Sequence, residues 1–188
     1  MRVHDQQRWD QRYQERGARP REHAAFLDSA AELLPLEGRA LDVAGGDGRN
    51  ALWLARRGLR VTVADVSPVG LSHARELARQ EGLELETVAL DLTRDPLPPG
   101  PFELVLCFHY LQRELFPAFV EALAPGGLLL FSQPTQINLE RHSNPSARFL
   151  LEPGELPSLI PPALEVVRLE EDWLEEGRHE ARVIARRR

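Results

Sequence analysis

Two rhythms of apolar and polar positions alternate along this chain. Short apolar runs of strand length occupy residues 39–44, 60–65, 84–90, 103–108 and 128–132. Between them the apolar residues recur every three or four positions, as on one face of a helix. Helices are expected over 5–16, 22–34, 49–57 and 111–123, with Pro117 kinking the last or starting a second. Ser67 caps a further helix, with Pro68 at its first position and Gly82 at its end. The proline-rich connector 93–101 cannot hold a helix, and Pro125, Gly126 and Gly127 mark a turn. Prolines recur through 134–162, where 153–159 suits one or two helical turns. Alternating strands at 164–173 and 179–185, around Gly177, read as a hairpin. The order predicts an α/β fold: a doubly wound, mostly parallel sheet, to which the hairpin adds an antiparallel edge. Such sheets bind ligands beyond the carboxyl ends of their strands.

Composition narrows the class. At 188 residues with a 43% hydrophobic fraction, the chain suits one domain, a helical lid or cap over 1–35 and a core over 36–188. No stretch is apolar for long enough to span a membrane, and the polar start MRVHDQQRWD does not suit a signal peptide. The net charge of −6 argues against nucleic acid as partner, and the single cysteine against a disulfide or a cysteine-built metal site. No metal is expected, and a reducing cytoplasm is the expected location.

The chemistry concentrates in LDVAGGDGRN, residues 41–50. An apolar strand carrying Asp42 ends in Gly45, Gly46 and Gly48 and leads into a helix. That geometry leaves backbone N–H groups bare at the helix start. The next strand ends in Asp65, the place of an acid that holds a ribose. Asp91 ends the third strand, and Phe108, His109 and Tyr110 follow the fourth; the fold gathers these sites at one rim. Gly46, Gly48 and Ala51 also satisfy G-x-G-x-x-A, so NAD competes as the ligand.

The segments LDVAGGDGRN, VTVADVS, VALDLT, FELVLCF, LAPGGLLLFS and the closing hairpin together resemble class I S-adenosylmethionine-dependent methyltransferases over residues 39–186. WDQRY (9–13) and SNPSARFLLEPGEL (143–156) are similar to the tellurite-resistance subgroup. The resemblance implies a Rossmann-like, seven-stranded sheet with an antiparallel C-terminal strand. It also implies roles: Gly45, Gly46 and Gly48 approach the methionine part of S-adenosyl-L-methionine, Asp42 orients that loop, Asp65 takes the ribose hydroxyls, and Asp91 with Leu92 reads the adenine. Ala44, Asn50, Val66 and Phe108 complete the expected cofactor shell. Ala44 departs from the family, which usually has glycine there, and Glu103 stands where aspartate is common.

Trp9 and Tyr13, four residues apart on one helical face, suit a lid over the cofactor. On the acceptor side His109 is a candidate base, Tyr110 and Arg148 candidate catalytic groups, and Arg113, Arg148 and Phe149 a candidate anion pocket. Cys107, inside an apolar run, reads as a core residue. The expected activity is methyl transfer to a small-molecule acceptor. An NAD-dependent oxidoreductase, which Asp42 opposes by facing a diphosphate with negative charge, and a non-catalytic cofactor-binding protein remain alternatives.

Overall fold

A computed structural model describes residues 3–188. Seven strands form one sheet: β1 (Arg39–Val43), β2 (Arg60–Asp65), β3 (Leu85–Ala89), β4 (Phe102–Phe108), β5 (Leu123–Pro134), β6 (Leu164–Trp173) and β7 (His179–Arg187). Their order is β3-β2-β1-β4-β5-β7-β6. The first five pair in parallel, and β7 runs antiparallel to both neighbours. This is the expected mixed, doubly wound sheet. The second arm of the hairpin, rather than the first, docks on β5, so β6 becomes the edge.

The central strands are apolar because both faces are covered. On one face Ala40, Val63, Leu104 and Leu106 pack under α2 (Ala25–Ala30), α3 (Arg49–Arg56) and the start of α4 (Pro68–Gln80). On the other, Leu41, Val43, Val105 and Cys107 meet Phe116 and Phe119 of α5 (Phe116–Ala122). Cys107 is buried there, and its thiol is pushed upward by that burial, as befits a core residue. Strand alternation puts Asp42 on the same face as Ala40, beneath α3.

Several boundaries differ from expectation for identifiable reasons. Residues 22–24 do not join α2, because Ala24 N donates to Asn50 Oδ1 at 2.9 Å and stays extended, with ψ 129°. Pro117 sits in the first turn of α5, where its missing N–H costs nothing, after a 3₁₀ turn over Arg113–Leu115. Residues 125–127 form an irregular stretch inside β5, where the register against β4 shifts. Between β5 and β6 lie two 3₁₀ turns, Gln136–Glu140 and Ala147–Phe149, and the short α6 (Leu156–Leu159). At the amino end, α1 (Val3–Arg16) packs across α4. Among the described residues no helix is long and apolar enough to cross a membrane.

Candidate active site

The carboxyl ends of β1, β2 and β4 open into a cavity of about 270 Å³, close to the lower end for small-molecule sites (about 300 Å³). Its floor is the turn between β1 and α3. Ala44, Gly46 and Gly48 all have positive φ, at 56°, 58° and 75°. Glycine takes this conformation freely, whereas Ala44 does so at a cost of about 1–2 kcal/mol. The unusual alanine therefore keeps the left-handed turn that glycine would make. Gly45 is needed for a different reason: a Cβ there would lie 2.7 Å from the Asp42 carboxylate.

Three carboxylates surround this cradle. Asp65 braces it, accepting from Gly46 N at 2.9 Å and from Ser67 N at 2.8 Å. Burial raises its carboxyl, while those two amides pull it back. Asp42 is 1% exposed, and its Oδ2 has no hydrogen-bond partner. Burial pushes its carboxyl up to about 7; Arg49 opposes this, while Asp65 and Asp47 reinforce it. An unpaired buried carboxylate oxygen beside a bare-backbone cradle is a place prepared for a cation or a donor.

Helix α1 roofs the cavity through three fastenings. Asp10 Oδ1 accepts from Ser67 Oγ at 2.5 Å and from Val69 N at 3.4 Å. The buried Tyr13 ring lies against Gly70, and a Cβ on Gly46 would collide with its hydroxyl. Asp47 binds Arg16 and Arg21, each at 3.2 Å. Trp9 stacks on Tyr13 at 6.0 Å, so the two rings share a face. Asp47, Arg12, Arg16, Arg21 and Arg49 all line the cavity and were not singled out from sequence. Asp47 and Arg49, flanking Gly48 inside the cradle motif, were the available signal.

Asp42, Ala44, Gly45, Asn50, Asp65, Val66, Leu92, Phe108, His109 and Tyr110 line the same cavity, as do Trp9 and Tyr13. Gly46 and Gly48 shape its floor through the backbone. Asp91 sits beside Leu92, its Oδ1 accepting from Thr93 N and Oγ1 at 3.0 and 2.7 Å, and it is not among the lining residues. Burial pushes the Asp91 carboxyl up, but the Thr93 hydroxyl and amide outweigh it and the net direction is down. Arg148 is likewise outside the lining; its guanidinium lies 4.5 Å over the Phe149 ring. Gln133 Nε2 donates to Phe149 O at 2.6 Å and ties that turn to the end of β5, on the same rim. Arg113 is engaged by Glu155 through two hydrogen bonds, one of 2.8 Å from Nη2. Tyr110 donates to Gln112 Oε1 at 2.8 Å, and burial raises its phenol.

A larger groove of about 580 Å³ lies between the C-terminal ends of α3 and α4 and the edge strand β3. It sits at the opposite end of the strands from the cradle, so the smaller cavity is the candidate site.

Residues 40–127 match the family model described as a methyltransferase domain. Over that segment, just under half of its length, the chain is similar to class I S-adenosylmethionine-dependent methyltransferases. The "Ubiquinone biosynthesis O-methyltransferase" of Xylella fastidiosa is 32% identical over 114 residues, covering 56% of this chain and 46% of that protein. That of Nitrosococcus oceani is 35% identical over 100 residues, covering 50% and 42%. The chain thus spans about half the length of the curated relatives it matches. TehB from Haemophilus influenzae superposes with a TM-score of 0.71 at 20% identity, covering 96% of this chain and 67% of that one. A TehB-like methyltransferase from Corynebacterium glutamicum gives 0.71 at 16% identity over all of both chains. These likenesses show that the methyltransferase fold extends beyond the matched segment, through the N-terminal helices and the hairpin.

The cradle suits S-adenosylmethionine. The positions carrying bare backbone are those where a side chain would clash. The orphaned Asp42 oxygen suits a cationic ligand and would repel a diphosphate. Asp65 spends one lone pair per oxygen on the loop and retains acceptor capacity for hydroxyl donors.

Proposed function

We propose that this chain transfers a methyl group from S-adenosylmethionine to a hydroxyl of a small molecule. The observation that carries the reading is the Asp42 oxygen, buried without a partner next to the cradle formed by Gly45, Gly46 and Gly48. The cofactor supplies an electrophilic methyl on a positively charged sulfur. The main chain of the cradle holds its methionine end, with Asp42 facing the charge. Asp65 receives the ribose hydroxyls, and Leu92 with the neighbouring Asp91 bounds the adenine. Trp9 and Tyr13 close the roof, which excludes water and strengthens every charge interaction inside. Holding nucleophile, methyl and sulfur in line contributes roughly 7–11 kcal/mol in reactions of this kind. The relatives named as O-methyltransferases support an oxygen acceptor. His109 and Tyr110 face it, and Arg148 on the same rim steers acceptors that carry negative charge.

Calorimetric titration tests this reading. S-adenosylhomocysteine is expected to bind in the micromolar range and NAD not at all. Binding of NAD alone would favour the oxidoreductase. Tight binding of S-adenosylhomocysteine without methylation of any hydroxyl compound would favour a non-catalytic sensor.

A further inference from the structure

His109 is the first residue past β4, and its φ is 59°. A non-glycine residue held left-handed is strained and persists only when its surroundings over-determine it. Here they do: His109 N donates to Ser132 O at 2.8 Å, and the ring Nε2 lies 2.8 Å from Glu180 Oε1. Glu180, on β7, is 3% exposed. Its Oε2 accepts from Ser132 Oγ at 2.6 Å, and Arg178 Nε lies 3.0 Å from its Oε1. Burial pushes the Glu180 carboxyl up, but the hydrogen bond from His109, with Ser132 and Arg178, outweighs it and the net direction is down.

An ionised carboxylate only accepts hydrogen bonds, so Nε2 must carry the proton. In the neutral ring the lone pair then sits on Nδ1. Among the described residues Nδ1 makes no hydrogen bond, and the ring lines the cavity with its side chain 29% exposed. The neighbouring His179 is the contrast: its Nδ1 is 2.8 Å from Thr135 Oγ1, and its ring packs edge-on against Trp173. Nor does Glu180 need His109 for its own satisfaction, since Ser132 and Arg178 already reach both oxygens.

We propose that Glu180 is the positioning residue of a His109 general base, and that the acceptor's reacting hydroxyl is therefore un-ionised in solution and is deprotonated during transfer. This rests on the methyltransferase reading above. In the step, the acceptor oxygen forms the new bond to the methyl carbon. The carbon–sulfur bond breaks, leaving its electron pair on sulfur. The hydroxyl proton passes to Nδ1 of His109, and the resulting imidazolium faces Glu180 until water takes the proton. An acceptor already ionised in solution would need none of this apparatus.

The test uses the full chain, with ¹⁵N-labelled histidine and two variants. His109→Asn suits the left-handed backbone, and Glu180→Gln keeps the shape while removing the charge. In the wild type the His109 resonances are expected to show a protonated Nε2 and a bare Nδ1; in Glu180→Gln the two tautomers mix. Initial rates are then measured with S-adenosylmethionine and a series from phenol to 4-nitrophenol, which is largely ionised at pH 8. His109→Asn is expected to lower kcat about 100-fold or more on phenol, but only a few-fold on 4-nitrophenol. Glu180→Gln should lose about ten-fold on phenol with KM little changed, less than removal of the base itself. A protonated Nδ1 in the wild type, or equal losses on both substrates, overturns the proposal. If no phenol is methylated while S-adenosylhomocysteine still binds, the hydroxyl acceptor falls and the cofactor assignment stands. If S-adenosylhomocysteine does not bind, both readings fall.

Discussion

Replacing Asp42 with asparagine is expected to make the ligand-free protein more stable at pH 8 and to weaken its hold on a cationic ligand. Burial lifts the Asp42 carboxyl from 3.8 to about 7, against the pull of Arg49. The sign follows from proton binding. Between pH 3.8 and about 7 the folded chain holds a proton that the unfolded chain has released, so stability is full below pH 4 and falls until pH 7. The interval corresponds to roughly 4 kcal/mol in all, of which about 3 kcal/mol lies between pH 5 and 8.5. The Asp42→Asn variant has no such dependence. Its amide leaves a donor unpaired at a cost of about 1–3 kcal/mol at every pH. The net gain at pH 8 is therefore about 1–3 kcal/mol, after that amide cost. The decisive quantity is the change in the gap with pH. Urea unfolding followed by fluorescence of the three tryptophans, at steps from pH 5 to 8.5, measures it. Wild type and variant should diverge by about 3 kcal/mol across that range; curves that stay parallel would refute the reasoning. By the same linkage, affinity for S-adenosylmethionine should rise with pH up to about 7 in the wild type, and this rise should vanish in the variant.

Asp65→Ala is expected to weaken S-adenosylhomocysteine binding by at least about 1.5 kcal/mol, the scale of a hydrogen bond to a charged group; unchanged affinity by calorimetry removes the ribose assignment. Ala44→Gly relieves the left-handed alanine and should raise stability by about 0.5–1 kcal/mol, once the entropy of the unfolded glycine is subtracted. In a thermal scan that is an increase of about 2 °C, and a decrease would show that the methyl group contributes packing. Asp47→Asn releases Arg16 and Arg21 and should increase the dissociation rate of S-adenosylhomocysteine several-fold in stopped-flow chase experiments; an unaltered rate would mean that α1 does not gate the site.

The cradle half of the candidate site was legible because it is local. Asp42, the three glycines and Asp65 lie close together in sequence, and each carries its own reason for being where it is. Phe108 followed from placing strand ends on one rim, and Val66 and Leu92 from the family resemblance. Glu180 was not legible. It meets His109 across 71 positions in sequence only because β7 inserts between β5 and β6, and a hairpin pattern does not say which arm docks. The arginines of the roof escaped for a similar reason. Arg16 and Arg21 carry no signal in the sequence until the fold brings Asp47 beneath them. The expected helix over 22–34 overran its start because helical periodicity cannot register the tertiary bond from Ala24 to Asn50. Arg113, a candidate for binding an anion, instead meets Glu155.

The three fastenings of α1 reach neighbouring points: the cap of α4, the glycine turn and the start of α3. None can be released far without straining the others, so the roof comes away as a unit or stays. On the proposed function, exchanging spent donor for fresh requires a whole helix to lift, a motion slower than the displacement itself in many lidded enzymes. On that reading, turnover would count openings of the roof, and a compound that wedged α1 against the cradle would stall it without resembling either substrate.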